Sequence, residues 1–199
     1  MLTKTQEKIL CFLLGSSEEK LSIRGIARRL KLSYPLTYNN IAVLEKQGII
    51  QKQNIAPAQI VTLNNFAPVD VFIEVELKRR SAFLQKQPWI RVMLEDILND
   101  APNAFFTLIV FGSYAKNTET PKSDLDLLVI VQNKKEIDAV ESSIKRVYTK
   151  VKKNIIVCDV IDFREMIINP NVLTVGNEAK KAHIVLYGIE EYYRLIIQA

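Results

Sequence analysis

The feature that most constrains this chain is residues 111–131, FGSYAKNTETPKSDLDLLVIV, in which two aspartates open an apolar strand. Because side chains on a strand alternate between its two faces, Asp124 and Asp126 are predicted to point the same way. A carboxylate beside a buried strand is costly to desolvate unless a cation compensates it. Two adjacent carboxylates suit Mg²⁺, particularly where substrate phosphates complete its shell. The pair therefore predicts a metal site at the start of this strand.

A Gly-Ser pair precedes Asp124 and is separated from it by ten residues. The apolar run at 104–111 predicts a strand that leads directly into Gly112 and Ser113, and a short helix, YAKN, follows. Backbone N–H groups at such a turn favour a phosphate group. Glycine allows the phosphate to approach closely, and the Ser113 hydroxyl can donate to a phosphate oxygen. The turn therefore predicts a phosphate site.

Gly112-Ser113, ten intervening residues and Asp-x-Asp together resemble the signature of the polymerase-beta-type nucleotidyltransferase superfamily. SDLDLLVIV and the C-terminal EAKKAHIVLYGIEEYYRLI are similar to its small stand-alone members, the minimal nucleotidyltransferases. This resemblance implies a mixed sheet flanked by helices and the transfer of an NMP from an NTP with release of pyrophosphate.

The resemblance also implies roles for individual residues. Asp124 and Asp126 are expected to hold two Mg²⁺ ions, with Mn²⁺ as an alternative, while Gly112 and Ser113 hold the β- and γ-phosphates. Two lysines in the intervening segment, Lys116 and Lys122, are candidates to bind phosphate, with solvated surface lysines as the alternative. Asn117 stands where these enzymes often have glycine, and we expect it to adopt the left-handed conformation.

A two-metal site needs a third carboxylate, for which Asp159 and Asp162 in NIIVCDVIDFREM compete. On a continuous strand they point to opposite faces, so only one can join the Asp-x-Asp pair. Glu165 follows Asp162 in a capping-box pattern, which predicts that Asp162 caps a helix. Asp159 is flanked by apolar residues and has no such local partner. We therefore predict that Asp159 is the third catalytic and metal-binding carboxylate.

The N-terminal third of the chain carries its whole positive excess. Residues 1–65 hold nine lysines and arginines against four glutamates, and the net charge of the full chain is +5. Thr3 and Gln6 form a capping-box pattern before a first helix, SIRGIARRL predicts a second, and a third begins after Ser33 and ends at Gly48. Two β-prone runs, IIQKQ and QIVTL, follow. The charge indicates a polyanion partner, with a solvated basic face as the alternative.

Three helices followed by a hairpin, over roughly residues 3–65, resemble the winged helix-turn-helix of transcription regulators. The resemblance implies double-stranded DNA as a partner, with the third helix in the major groove. Residues predicted to lie nearest the bases and phosphates are Tyr34, Thr37, Tyr38 and Asn39. Residues predicted to neutralise the DNA backbone are Arg24, Arg28, Arg29, Lys31 and Lys52. Winged helices also serve as dimerisation or protein-docking modules, which is the alternative.

These expectations combine into an α+β protein with a winged helix-turn-helix at 1–65, a helical connector at 66–100 and a nucleotidyltransferase domain at 101–199. Cys11 and Cys158 lie in apolar segments and are expected to be buried hydrophobes, while His183 is expected to be structural. The chain has no run of 18 or more apolar residues and no signal-peptide pattern. We therefore expect a cytoplasmic protein without a membrane partner.

Two functional hypotheses follow. The first is a nucleotidyltransferase that transfers an NMP, such as AMP, to a protein or small-molecule acceptor, and whose DNA-binding domain makes it a self-regulating, antitoxin-like switch. A toxin protein and a second copy of the chain are further candidate partners. The second is a transcription regulator whose transferase fold only senses nucleotide or docks a partner.

Overall fold

The computed structural model describes residues 1–16, 21–55, 58–101 and 105–197. Its N-terminal part consists of helices α1 (Lys4–Leu14), α2 (Ile23–Leu30) and α3 (Tyr34–Lys46) and strands β1 (Leu21–Ser22), β2 (Ile50–Ile55) and β3 (Ala58–Leu63). In the described residues the strands form an antiparallel sheet in the order β1-β3-β2. This is the predicted winged helix-turn-helix arrangement, with β1 as an addition.

Local capping signals set the ends of these helices as predicted. The Thr3 hydroxyl accepts a hydrogen bond from the Gln6 backbone N–H, and the Gln6 side chain accepts one from the Thr3 N–H. Ser33 caps α3 by accepting from the Leu36 N–H. Just beyond the end of α3, Gly48 has a φ of +71°, the left-handed conformation that glycine adopts without strain.

Two helices, α4 (Val69–Lys86) and α5 (Pro88–Asp100), follow the winged helix. Proline cannot continue a helix because it lacks an N–H, so the break falls before Pro88, as predicted. Ile90, Met93 and Ile97 of α5 are buried in the core of the C-terminal part. The connector is therefore packed structure rather than a free linker.

The C-terminal part alternates strands and helices. Its elements are β4 (Phe106–Phe111), α6 (Gly112–Lys116), β5 (Leu125–Val131), α7 (Ile137–Arg146), β6 (Lys153–Asp159), α8 (Val160–Ile167), α9 (Val175–Lys181), β7 (Ile184–Tyr187) and α10 (Ile189–Ile197). In the described residues its sheet has the order β6-β5-β4-β7, with β5 and β6 parallel and the other pairs antiparallel. The predicted start of the first strand, residue 104, lies outside the described residues.

The two faces of this sheet bury different sets of side chains. Leu127 and Val129 of β5 pack on the face that carries the α5 side chains, in one apolar cluster. Leu128 and Ile130 point to the other face and share a cluster with residues of α8, α9 and α10. That second cluster continues through α4 into the core of the N-terminal helices. Asp126 has the same parity as Leu128 and therefore lies on the second face.

Of the cysteines and the histidine, Cys158 and His183 are buried in the protein interior. Cys158 is buried, and burial raises the pKa of its thiol to about 12. Cys11 is only partly buried. His183 is buried, with ring nitrogens 3.1 Å from the Ala179 carbonyl and 3.3 Å from the Tyr193 hydroxyl, which confirms the structural prediction. Among the described residues, no helix is long and apolar enough to cross a membrane.

Candidate nucleotide site and DNA-binding face

The sheet register brings the Asp-x-Asp pair beside the glycine turn. Asp126 is the second residue of β5 and pairs with Phe111, the last residue of β4, so it lies next to Gly112. On its other side Asp126 pairs with Asn154 of the parallel strand β6. Asp124 precedes β5, and its side chain is 35% exposed. Both carboxylates therefore lie at an open end of the sheet.

Gly112 is required by both conformation and space. Its φ is +66°, which side-chain-bearing residues rarely adopt, and a Cβ built at this position would lie 2.2 Å from Oδ2 of Asp126. Gly112 begins α6, and Asn117, the C-cap just beyond the end of this helix, has φ 55° and ψ 36°. This confirms the prediction that Asn117 would take the left-handed conformation where related enzymes often have glycine. Ser113 lies in the first turn of α6, adjacent to Gly112.

An amide and a lysine compensate the two carboxylates. The Asn154 side-chain amide donates to Oδ1 of Asp126 at 3.0 Å and to Oδ2 of Asp124 at 3.4 Å. The Lys152 ammonium lies 3.4 Å from the same Asp124 oxygen. Neither Asn154 nor Lys152 was predicted from the sequence. The available signal was a polar residue at the start of the apolar run NIIVC, which mirrors Asp126 at the start of LLVIV.

Asp159 does not join this site, and the prediction of its role was wrong. Asp159 pairs with Val131, five positions along β6 from the Asn154–Asp126 pair, which is about 17 Å at a strand rise of ~3.3 Å per residue. Asp159 is instead the N-cap of α8, where its Oδ1 accepts from the Asp162 N–H at 2.8 Å.

Asp162 was wrongly predicted to be the cap. It lies in the first turn of α8, and its Oδ1 is 3.0 Å from the Lys134 ammonium. Asp159 therefore has the capping role that was predicted for Asp162, and neither aspartate joins the Asp-x-Asp pair.

The two lysines predicted to bind phosphate lie at the surface around the site. Lys116 is the last residue of α6, and its ammonium is 4.0 Å from Oε2 of Glu178 on α9. Lys122 is exposed in the turn that precedes Asp124. Their phosphate contacts remain predictions.

On the N-terminal domain, four of the residues predicted to bind DNA form a continuous row. The Arg24 guanidinium lies 5.7 Å from the ring centroid of Tyr34, the Tyr34 and Tyr38 rings are 6.1 Å apart, and the Lys52 ammonium lies 5.8 Å from the Tyr38 ring. This row combines α2, α3 and the hairpin. Lys52 also forms an ion pair with Glu45 at 2.7 Å, so part of its charge is already compensated.

Thr37 is not on this face, and its prediction as a DNA contact was wrong. The side chain is fully buried, and its hydroxyl donates to the Ser33 carbonyl at 3.0 Å. Ile41 and Leu44 extend the same buried stripe at helical spacing. Leu36, which was not predicted, is 42% exposed in the first turn of α3. The remaining predicted contacts are all exposed: Arg28, Arg29, Lys31 and Asn39.

Comparisons with known families agree with both parts of this architecture. Residues 90–186 match the model of a nucleotidyltransferase domain, and residues 2–51 match that of a winged helix-turn-helix DNA-binding domain. The protein is thus a fusion of an N-terminal winged helix-turn-helix domain with a C-terminal nucleotidyltransferase domain. The winged-helix match ends within β2, and the nucleotidyltransferase match begins within α5.

Two solved structures show a weaker likeness. They are the Staphylococcus aureus transcription regulator MepR, which controls the multidrug efflux pump MepA, and a MepR–DNA complex. Each is 20% identical and covers 49% of this chain and 78% of its own, with TM-scores of 0.33 and 0.32. At these scores the likeness supports no argument about this protein. A search of curated proteins found no match.

Proposed function

We propose that this protein is a DNA-binding regulator whose nucleotidyltransferase domain binds a nucleoside triphosphate together with one divalent cation. Mg²⁺ is the first candidate for this cation. The observation that carries the proposal is the set of groups around Asp126. A second carboxylate, a left-handed glycine turn and the Asn154 amide meet there at an open end of the sheet. Glycine admits a phosphate close to the backbone, and the carboxylates suit a metal ion.

The donor set favours one cation rather than two. In the described residues, no group of three or more Asp, Glu, His or Cys side chains is arranged to hold a metal ion. Asp124 and Asp126 would hold one cation, whose shell the phosphates would complete, and this cation would neutralise triphosphate charge. Two-ion transfer needs a further carboxylate near the attacking hydroxyl, whereas the neighbouring position on β6 holds the neutral Asn154. We therefore expect the domain to bind a nucleoside triphosphate without transferring its nucleotide efficiently.

The regulatory part of the proposal rests on the winged helix. The match to a DNA-binding domain and the exposed row of Arg24, Tyr34 and Tyr38 support duplex DNA as the partner. Arginine and lysine side chains on this face would displace counterions from the phosphate backbone, so affinity should fall steeply as the salt concentration rises.

Nucleotide binding is tested on the full-length protein with a fluorescent ATP analogue. We expect saturable binding with Mg²⁺, much weaker binding with EDTA, and loss of binding in Asp124→Asn/Asp126→Asn. The control is Asp138→Asn/Glu141→Gln on α7, which removes the same negative charge outside the site. Equal affinity in the Asp124/Asp126 variant and its control would refute the proposed site.

Transfer of the nucleotide to an acceptor is the second candidate function. It is favoured by the family match and by the presence of both aspartates of the Asp-x-Asp pair. The test is incubation with α-³²P-labelled NTPs, Mg²⁺ and a lysate of the source cells. Tight binding without labelled product supports the sensor. Repeated labelling of an acceptor that disappears in Asp124→Asn/Asp126→Asn would make the protein an enzyme instead.

DNA binding is tested by measuring the affinity of the full-length protein for genomic duplex fragments at increasing salt concentrations. Arg28→Ala/Arg29→Ala should weaken binding to all sequences alike, whereas Asn39→Ala should change the preference among them. The matched control, Arg146→Ala/Arg194→Ala, removes two exposed arginines of the transferase domain. An equal loss in the control, or affinity that does not depend on salt, would favour a protein-docking role for the winged helix.

A further inference from the structure

The exposed side of α3 carries no charge over residues 34–44. The helix has the sequence YPLTYNNIAVLEK, and its charged residues, Glu45 and Lys46, come only at its C-terminal end. Thr37, Ile41 and Leu44 mark the buried side of the helix. We call the exposed residues of the same stretch the neutral face. They are Tyr34, Pro35, Leu36, Tyr38, Asn39 and Val43.

Positive charge surrounds the neutral face instead of lying on it. Arg24 is near the start of α2, Arg28 is in its last turn, Lys31 is its C-cap, and Lys52 lies on β2. In helix-turn-helix domains the recognition helix enters the major groove, while the preceding helix crosses the DNA backbone. The cations are therefore placed for phosphates, which carry no sequence information, and the neutral face is placed for base edges.

Two neighbouring asparagines on α3 have different surroundings. The Asn40 amide donates to the Leu36 carbonyl at 2.8 Å, and its oxygen accepts from the Thr3 hydroxyl at 3.3 Å. Asn39 is exposed, and its side chain makes no hydrogen bond to another described residue. An asparagine amide pairs with adenine by donating to N7 and accepting from the N6 amino group. Asn39 is therefore the amide that is available for adenine.

An exposed leucine lies beside Asn39 on the neutral face. Leu36 is 42% exposed. It precedes Asn39 by three positions, so the two side chains are neighbours on the helix surface. The thymine methyl group is the apolar feature of the major groove, and apolar side chains contact it. Contact between Leu36 and this methyl group would remove apolar surface of both from water.

The neutral face lacks the groups that read G·C pairs. Guanine is read chiefly by arginine or lysine and the cytosine amino group by a carboxylate, and residues 34–44 contain none of these. We propose that α3 reads A·T base pairs in the major groove, with Asn39 on adenine and Leu36 on the thymine methyl group. This inference rests on the proposed DNA binding and adds to it the base pairs that the winged helix prefers.

The base preference is tested by selecting duplexes from a random library with the full-length protein at low salt. We expect A·T pairs at the contacted positions of the enriched sites. Each thymine is then replaced by deoxyuridine, which lacks the 5-methyl group, and each adenine by 7-deazaadenine, which lacks the N7 acceptor. At contacted positions the first change should weaken wild-type binding about threefold or more, and the second about fivefold or more.

Variants with matched controls assign the two contacts. Leu36→Ala should bind thymine and deoxyuridine duplexes alike, whereas Leu77→Ala, at a leucine of α4 that is 44% exposed, should keep the wild-type ratio of affinities. Asn39→Ala should bind adenine and 7-deazaadenine duplexes alike, whereas Asn40→Ala should keep the wild-type ratio. Because each ratio compares two duplexes on one protein sample, a partly unfolded variant does not change it.

Enrichment of G·C pairs at the contacted positions, or the absence of any base preference, would overturn the proposal. A wild-type ratio for thymine and deoxyuridine in Leu36→Ala, or for adenine and 7-deazaadenine in Asn39→Ala, would overturn it as well. In these cases salt-dependent binding to duplexes of every sequence still supports DNA binding by the winged helix. Failure to bind any duplex at low salt would instead refute both proposals, so the two failures are distinguishable.

Discussion

Asn154 sets the charge balance of the candidate nucleotide site. Its amide bridges Asp126 and Asp124 at 3.0 and 3.4 Å, so it lies where a further carboxylate would meet the same metal ion. A neutral donor relieves the repulsion between the two aspartates when no cation is bound. In the proposed site, this neutral side chain would favour one cation over two.

The first prediction concerns Asn154→Asp. A third carboxylate should raise Mg²⁺ affinity and destabilise the metal-free protein, because like charges then crowd one site. Thermal unfolding with Mg²⁺ and with EDTA measures both effects, and the midpoint difference should be larger than in wild type. Asn154→Ala is the control, because it removes the amide without adding charge. An identical Mg²⁺ response in all three proteins would show that this position does not face the metal.

The second prediction compares two glycines. Gly112→Ala combines a left-handed φ with a Cβ 2.2 Å from Asp126, whereas Gly48→Ala has the left-handed φ alone, with nothing within 4 Å. Both should lose about 1 kcal/mol from backbone strain. Only Gly112→Ala should lose more than this and also lose nucleotide binding, because the Asp126 carboxylate must move. Urea unfolding and nucleotide titration decide the point. Equal effects of the two substitutions would contradict the close approach.

At the scale of elements, the sequence was informative wherever neighbours along the chain decide the structure. Thr3 with Gln6, Ser33 before Pro35, and Gly48 each predicted a helix end correctly, because caps depend on residues within one turn. Thr37 could also have been assigned to the buried face of α3, since Ile41 and Leu44 follow it at the spacing of one helix face. Its polarity led to the wrong prediction.

Pairing between distant strands could not be predicted in this way. The segment DVIDFRE contains two overlapping cap patterns, one that starts at Asp159 and one at Asp162, and which applies depends on where β6 ends. Likewise, Asn154 meets Asp126 only because β5 and β6 are parallel in one register. Packing of the whole sheet fixes that register.

The third prediction tests the corrected role of Asp159. Asp159→Ala should destabilise the protein by about 1–2 kcal/mol, because α8 loses its side-chain cap, and nucleotide binding should persist. Asp162→Ala, with the same charge change, should cost less, since it removes only a partly exposed pair with Lys134. Urea unfolding gives both values. Loss of nucleotide binding in Asp159→Ala without loss of stability would restore the original assignment.

At the scale of the whole molecule, buried polar contacts hold α4 against the transferase domain. Glu76 is fully buried, accepts from the Val185 N–H at 2.8 Å and from the Tyr193 hydroxyl at 3.0 Å, and pairs with Arg79. Arg79 in turn donates to the His183 carbonyl at 2.7 Å. A buried ion pair stabilises little beyond its desolvation cost, but losing one partner is expensive. The network therefore fixes how α4 sits against the transferase sheet.

The last prediction is the pH dependence of this junction. Burial lowers the pKa of His183 to about 4, against 6.5 in an unfolded chain. As the pH falls below about 6.5, His183 becomes protonated in the unfolded chain but stays neutral in the native state. Stability is therefore lost between about pH 6.5 and pH 4. At about pH 5 the loss relative to pH 7 should be about 2 kcal/mol.

The groups facing His183 do not titrate in this window in a way that mimics the loss. Burial raises the pKa values of the Tyr192 and Tyr193 hydroxyls, and that of Arg79 is raised as well, so all three keep their protons. Glu76, the remaining charged neighbour, is present in wild type and in His183→Gln alike. Urea unfolding of both proteins at about pH 7 and pH 5 isolates the histidine, since the variant should lose about 2 kcal/mol less on acidification. If both proteins lose the same free energy of unfolding, native His183 takes up its proton between pH 7 and pH 5 as the unfolded chain does, and the lowered pKa is refuted.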